Sequence, residues 1–180
     1  MTEHRKTLAL SPIAGDPELG RWLAALEDAR RDTLRQLEGV TDAMVDWYPD
    51  APLNSIGTLL YHIALIEAAW VAEEILELAD EPTELVVLLP WSDREDDGGV
   101  GNKGRLSRVD GQSLPQHLAR LEGVRSWTRT HLESMSNADF HRIRALADYD
   151  VAPDWVLHHI LQHEAEHRSH IAWLRDTYPG

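Results

Sequence analysis

Leu19, Trp22, Leu26, Ala29, Thr33 and Leu37 recur at steps of three and four residues, with Arg30, Arg31 and Arg35 breaking in as charge. That period predicts an amphipathic helix of bundle length. Asp16 supplies a capping carboxylate and Pro17 the first helical position, while Gly39 supplies the stop. A second run, Ile56, Leu59, Leu60, Ile63, Ile66 and Trp70, follows two competent caps, Asn54 and Ser55, and extends to about Leu78. A third is marked by Leu118, Leu121, Arg125, Thr128 and Leu132 behind Ser113 and Pro115. The fourth begins at Pro153, and at about 100° per residue its Val156, Ile160, Ile171 and Leu174 fall within roughly 60° of one another.

The intervening segments carry weaker signals. Thr41 can open one short helical turn before Pro49 and Pro52 force an extended approach to the second helix. Over residues 80–110 the period fails, with Pro82, Pro90, the acidic run at 93–97 and a glycine-rich stretch. Glu84 to Leu89 is a short apolar element suited to pack on the bundle, and Trp91 is either a lid over a site or a surface anchor. A connection of this length is unusual unless it covers a site or crosses the bundle. Ser136 to Phe140 reads as a turn and Phe140 to Leu146 as ambiguous. Glu67, Glu73 and Glu74 read as mostly solvated, and His117 and His131 as exposed. No strand-like alternation competes, so the expectation is an all-α four-helix bundle with a long connection between helices two and three. One domain over residues 1–180, with its core at about 17–178, is the default for this length.

Charge narrows the partners. Seventeen basic residues against 31 acidic ones give a net charge of −14, which repels a nucleic-acid backbone, and neither a basic patch nor a glycine-rich phosphate loop offsets it. No cysteine is present, so thiol chemistry must come from a cosubstrate. No apolar run of signal-peptide length opens the chain and no 18-residue apolar segment follows, so a cytoplasmic protein without a membrane partner is expected.

The candidate chemistry lies in the fourth helix, which carries five of the ten histidines. His163 and His167, four residues apart, project within the apolar arc, where an i, i+4 pair can converge on one divalent ion. The alternative is a half-buried, hydrogen-bonded pair kept neutral without metal. His62, in the second helix, sits roughly 80° from the middle of its stripe, on a flank that a neighbouring helix could cover. By itself it reads as an interfacial histidine bonded between helices. His163-Glu164-Ala165-Glu166-His167 also spells the H-E-x-x-H of zinc proteases. The context does not fit: the 13 residues after His167 contain no glutamate, and the extended pattern needs Gly and His where His170 and Trp173 stand. Glu164 remains a candidate base or an outer partner of a ligand.

Thr41…Trp47…Pro49…Asn54-Ser55-Ile56-Gly57-Thr58-Leu59-Leu60-Tyr61-His62-Ile63, taken with His163-Glu164-Ala165-Glu166-His167-Arg168-Ser169-His170-Ile171…Leu174-Arg175, resembles the DinB-like (YfiT-related) four-helix bundle family. That family includes mycothiol- and bacillithiol-dependent S-transferases and maleylpyruvate isomerases. The resemblance spans about residues 17–178. It implies a divalent metal, zinc or nickel foremost, held by His62, His163 and His167, with positions left open for water or substrate. It further implies a low-molecular-weight thiol cosubstrate and a small electrophilic substrate, in a transferase or isomerase. Where the family commonly has His-Arg-Gly-Gln, this chain has His167-Arg168-Ser169-His170. The rival reading is a non-catalytic, stress-related bundle that binds metal or a small molecule. The resemblance also allows a homodimer, for which seven tryptophans supply apolar surface.

Overall fold

Local rules set the ends of the long helices. The computed structural model describes residues 7–49, 53–91 and 106–180. Helix α1 (Pro17–Gln36) starts where Asp16 Oδ1 accepts hydrogen bonds from the backbone N–H of Glu18 (2.9 Å) and Leu19 (3.0 Å). It is closed off by Gly39 at φ +81°, a left-handed conformation that favours glycine. A single turn, α2 (Asp42–Val45), precedes α3 (Ile56–Ala69), whose cap is the Ser55 hydroxyl accepting from Thr58 N–H. Rather than running regularly to Leu78, α3 passes into a π-helical segment, Trp70–Ile75. The short helix α4 (Thr83–Leu88) buries Leu85, as the apolar 84–89 stretch predicts.

Helix α5 (Leu114–Leu132) is held by a capping box in which the Gln116 carboxamide accepts from Ser113 N–H at 2.8 Å. A turn of helix, α6 (Asn137–Phe140), follows where a turn was expected. The histidine-rich α7 (Pro153–Thr177) completes the set. Helix α7 packs along α1, and α3 sits between α5 and α7. One hydrophobic cluster, with Leu19, Leu60, Ile63, Leu121, Val156 and Ile171 among its members, joins all four. This is the mostly helical bundle that the periodicity predicts.

Several expectations are corrected. An antiparallel pair of two-residue strands, β1 (Arg144–Ala145) and β2 (Asp150–Val151), occupies the ambiguous stretch after Phe140. It is too short for alternation to register. Arg144 is fully buried there, its Nε donating to the Ile75 carbonyl at 3.0 Å and so satisfying an end of the π-helical segment. Ile56–Ile75 is, contrary to the sequence reading, long and apolar enough to cross a membrane by composition, but two thirds of its most apolar window is buried by the other helices. Pro52 and the acidic, glycine-rich stretch at 93–104 lie outside the described residues.

Two polar residues taken as exposed are interior. Glu67 and His117 are each 1% exposed. The His117 Nδ1 lies 3.1 Å from Arg120 Nη1, while its Nε2 is buried with no partner among the described residues. Burial, then the adjacent Arg120 charge, pushes its pKa down to about 4 from 6.5. Between those values the unfolded chain takes up a proton that the folded one refuses, so stability is lost as pH falls through this window. His117→Gln is therefore expected to reduce the stability lost between pH 7 and 4.5 by about 2 kcal/mol, measured by urea unfolding of variant and parent. Parallel pH profiles would refute it.

Candidate metal centre

His62 lies in the second turn of α3, directed by the Ser55 cap, and His163 and His167 stand one turn apart on α7. The α3·α7 contact brings the three together. His163 Nε2 lies 3.0 Å from His62 Nε2 and 3.0 Å from His167 Nε2, and one nitrogen from each ring falls within 4.8 Å of the others. The ring planes are inclined by 59°, 83° and 80°, so the rings fan around a common point with their edges inward. All three are half-buried.

Protonation supports ligand chemistry. Burial, reinforced by His167, His62 and His159, pushes His163 down to about 3; burial, with His62 and His170, pushes His167 down to about 4. Both are neutral at physiological pH, with a lone pair available. In the absence of an ion, the Nε2 of His163 must serve two neighbouring imidazoles at once. A divalent ion would accept all three lone pairs instead, and Nε2 separations of 3.0 Å suit nitrogens about 2.0–2.1 Å from one centre. The buried Nδ1 of His167, which has no partner among the described residues, is the weak point of the set, since such nitrogens usually donate to an orienting group.

Glu164 follows His163 by one residue, and a 100° step turns it from the rings into the bundle. There it joins a buried quartet with one member from each long helix: Arg30 of α1, Glu67 of α3, Arg125 of α5 and Glu164 of α7. Arg30 Nε donates to Glu164 Oε1 (2.8 Å), and its Nη2 to Glu67 Oε2 (2.9 Å) and Glu164 Oε2 (3.2 Å). Arg125 donates to both Glu67 oxygens, at 2.6 and 2.9 Å, and to Glu164 Oε2 at 3.3 Å. Burial alone would raise the Glu67 pKa, but Arg125 and Arg30 outweigh it and hold the carboxyl below its ordinary range. Two positive and two negative groups cancel in the core, and each carboxylate is bonded by both guanidinium groups.

The surroundings divide into two sides. On one, Trp70, Trp155 and His159 stack together, with Trp155 and His159 parallel to within 3° and the His159 ring 6.2 Å from that of His163. His170 lies exposed, its ring 5.6 Å from His167. On the other, a cavity of about 190 Å³ opens beside His62, walled by Tyr61, Trp91, Leu106, Arg108 and Val109 among others. Tyr61 Oη accepts from Trp91 N–H (2.8 Å) and donates to the Trp91 carbonyl (2.6 Å), which fixes that indole at the cavity. Trp91 is thus anchored through its backbone, in keeping with the anchor reading, and also lines the cavity. Among the described residues the connection returns to His62 through residues 106–109.

Beyond Glu164, Trp91 and His62, the members of the quartet and of the cavity wall were not singled out as site residues by the pattern. Arg125 on the apolar stripe of α5, flanked by Leu121 and Thr128, was the one signal of a buried charge. Comparison with known families gives a match over residues 25–171 to the family model described as DinB superfamily. No curated protein matches the chain.

Proposed function

Since this chain belongs to the DinB superfamily, we propose that it holds one divalent metal ion through His62, His163 and His167 and uses it in a thiol-dependent transfer or isomerisation on a small electrophile. The observation that carries this reading is the meeting of three Nε2 atoms from two helices, 101 residues apart at the first contact. Three imidazoles leave coordination positions open, which is the arrangement of catalytic rather than structural sites. A bound ion would supply Lewis acidity and favour the thiolate form of a cosubstrate. Zinc or nickel suits this donor set best.

The protein's own part is to position and to exclude. His163 and His167 stay neutral and so keep lone pairs for an ion, and Trp91, pinned by Tyr61, forms one wall of the cavity on the His62 side. Glu164 has both oxygens engaged by arginines, so we assign it the role of fixing the turn of α7 that presents His163, not that of a base. A small-molecule substrate fits the cavity volume; a cytoplasmic homodimer without nucleic-acid or membrane partners completes the proposal, with the exposed Trp155 and Trp173 of α7 as candidate contact residues.

Metal-loaded protein given a low-molecular-weight thiol and an electrophile such as a chlorodinitrobenzene is expected to turn over in a thiol-dependent manner. His62→Ala and His167→Ala should each abolish that turnover while remaining folded. Turnover that survives both substitutions sinks the metal mechanism.

A further inference from the structure

We propose that the cavity beside His62 takes a small substrate bearing a carboxylate, and that Arg108 recognises its anionic end. This rests on the metal reading of the triad, which makes the cavity a substrate site. The Arg108 guanidinium lies 3.9 Å from the centroid of the Tyr48 ring. The Tyr48 hydroxyl is itself fixed, 2.8 Å from Thr58 Oγ1 and donating to Asp110 Oδ1 at 2.9 Å. A stacked guanidinium keeps its N–H edges available for a planar oxyanion. Among the described residues Arg108 has no carboxylate within salt-bridge distance, although the chain carries 31 acidic side chains against 17 basic ones.

Arg120 provides the contrast. It lies over the Tyr61 ring at 4.7 Å, yet its nitrogens are taken by the Leu88 carbonyl, His117 Nδ1 and Gln112 Oε1. It is a strut, whereas Arg108 has capacity to spare. In a protein of net charge −14 the general field repels anions, so an anionic substrate needs a local cation to enter. Of the other walls, Leu106, Val109 and Trp91 are apolar, the hydroxyls of Thr58 and Tyr61 are engaged by Tyr48 and the Trp91 backbone, and Ser107 adds a third hydroxyl; about 190 Å³ corresponds to roughly six waters of liquid volume. The ligand class is therefore a short monocarboxylate with an apolar body, its acid on Arg108 and its other end toward His62.

Calorimetric titration with butyrate and its neutral isostere butyramide tests this. Wild-type protein is expected to bind butyrate about tenfold more tightly than butyramide, one charge-assisted bidentate contact being the difference. The preference should persist in metal-free His163→Ala, fall to near unity in Arg108→Met, and return in part in Arg108→Lys. An unchanged preference in Arg108→Met overturns the assignment, as does failure of butyrate to bind wild type. If the preference disappears in His163→Ala but not in Arg108→Met, the acid sits on the ion, which defeats the role of Arg108 and leaves the metal reading intact. Loss in Arg108→Met from a protein that takes up no metal upholds the anion pocket and defeats the metal reading.

Discussion

Arg125→Met is expected to destabilise the protein by about 3–5 kcal/mol, because it strips one cation from a closed, buried quartet. Arg125 gives Glu67 two hydrogen bonds, the shortest among them, and Glu164 a third, and none of these groups can turn to solvent for replacement. Burial opposes the charge on Arg125, but Glu67, then Glu164 and Glu27, outweigh it and raise its pKa. For a chain of this size the loss corresponds to a fall in Tm of roughly 6–20 °C. Exchanging all four members for apolar residues (Arg30→Met, Glu67→Leu, Arg125→Met, Glu164→Leu) should be neutral or stabilising, since the desolvation cost leaves with the charges. Urea unfolding separates the cases. A single substitution costing less than about 1 kcal/mol would mean that the quartet is solvated or relaxes easily.

His163→Ala is expected to weaken divalent-metal binding by more than about a hundredfold, beyond the 10- to 100-fold typical of outer groups that merely orient a ligand. His163 is central: its Nε2 is the one within 3.0 Å of both other rings. Loss of this ring leaves two donors on different helices with no shared neighbour between them. Equilibrium dialysis against zinc or nickel measures the effect. Because His163 is only half-buried, the variant should stay folded, and its unfolding profile should match that of metal-free wild type within about 2 kcal/mol. Glu164→Gln, which keeps the shape but removes one charge from the quartet, should show the smaller loss.

What could be read in advance follows the range of the forces involved. Asp16 with Pro17, Ser55, Ser113 with Pro115, and Pro153 act within one helical turn, and each stands where the sequence places it. The apolar face of α7 was legible because Val156, Ile160, Ile171 and Leu174 repeat with the helix, and all four are buried. His163 and His167 show as a pair from spacing alone, but His62 lies on a flank of its stripe and was joined to them only through family resemblance.

Glu67 was misread, and the burial of Arg30 was not foreseen, because a local pattern assigns charge to solvent. Their burial depends on partners 58 and 134 residues away, Arg125 and Glu164, which no window can include. His117 was missed for the same reason, its ring facing Gly57 of α3, where the place of an added Cβ lies 3.0 Å from His117 Nε2. The two-residue strands are below the length at which alternation has meaning.

X-ray absorption at the metal edge of nickel- or zinc-loaded protein probes the triad most directly. Three imidazole nitrogens at about 2.0–2.1 Å, reduced to two in His62→Ala, are the predicted result. A first coordination sphere of oxygen, or an imidazole count unchanged by His62→Ala, would contradict it.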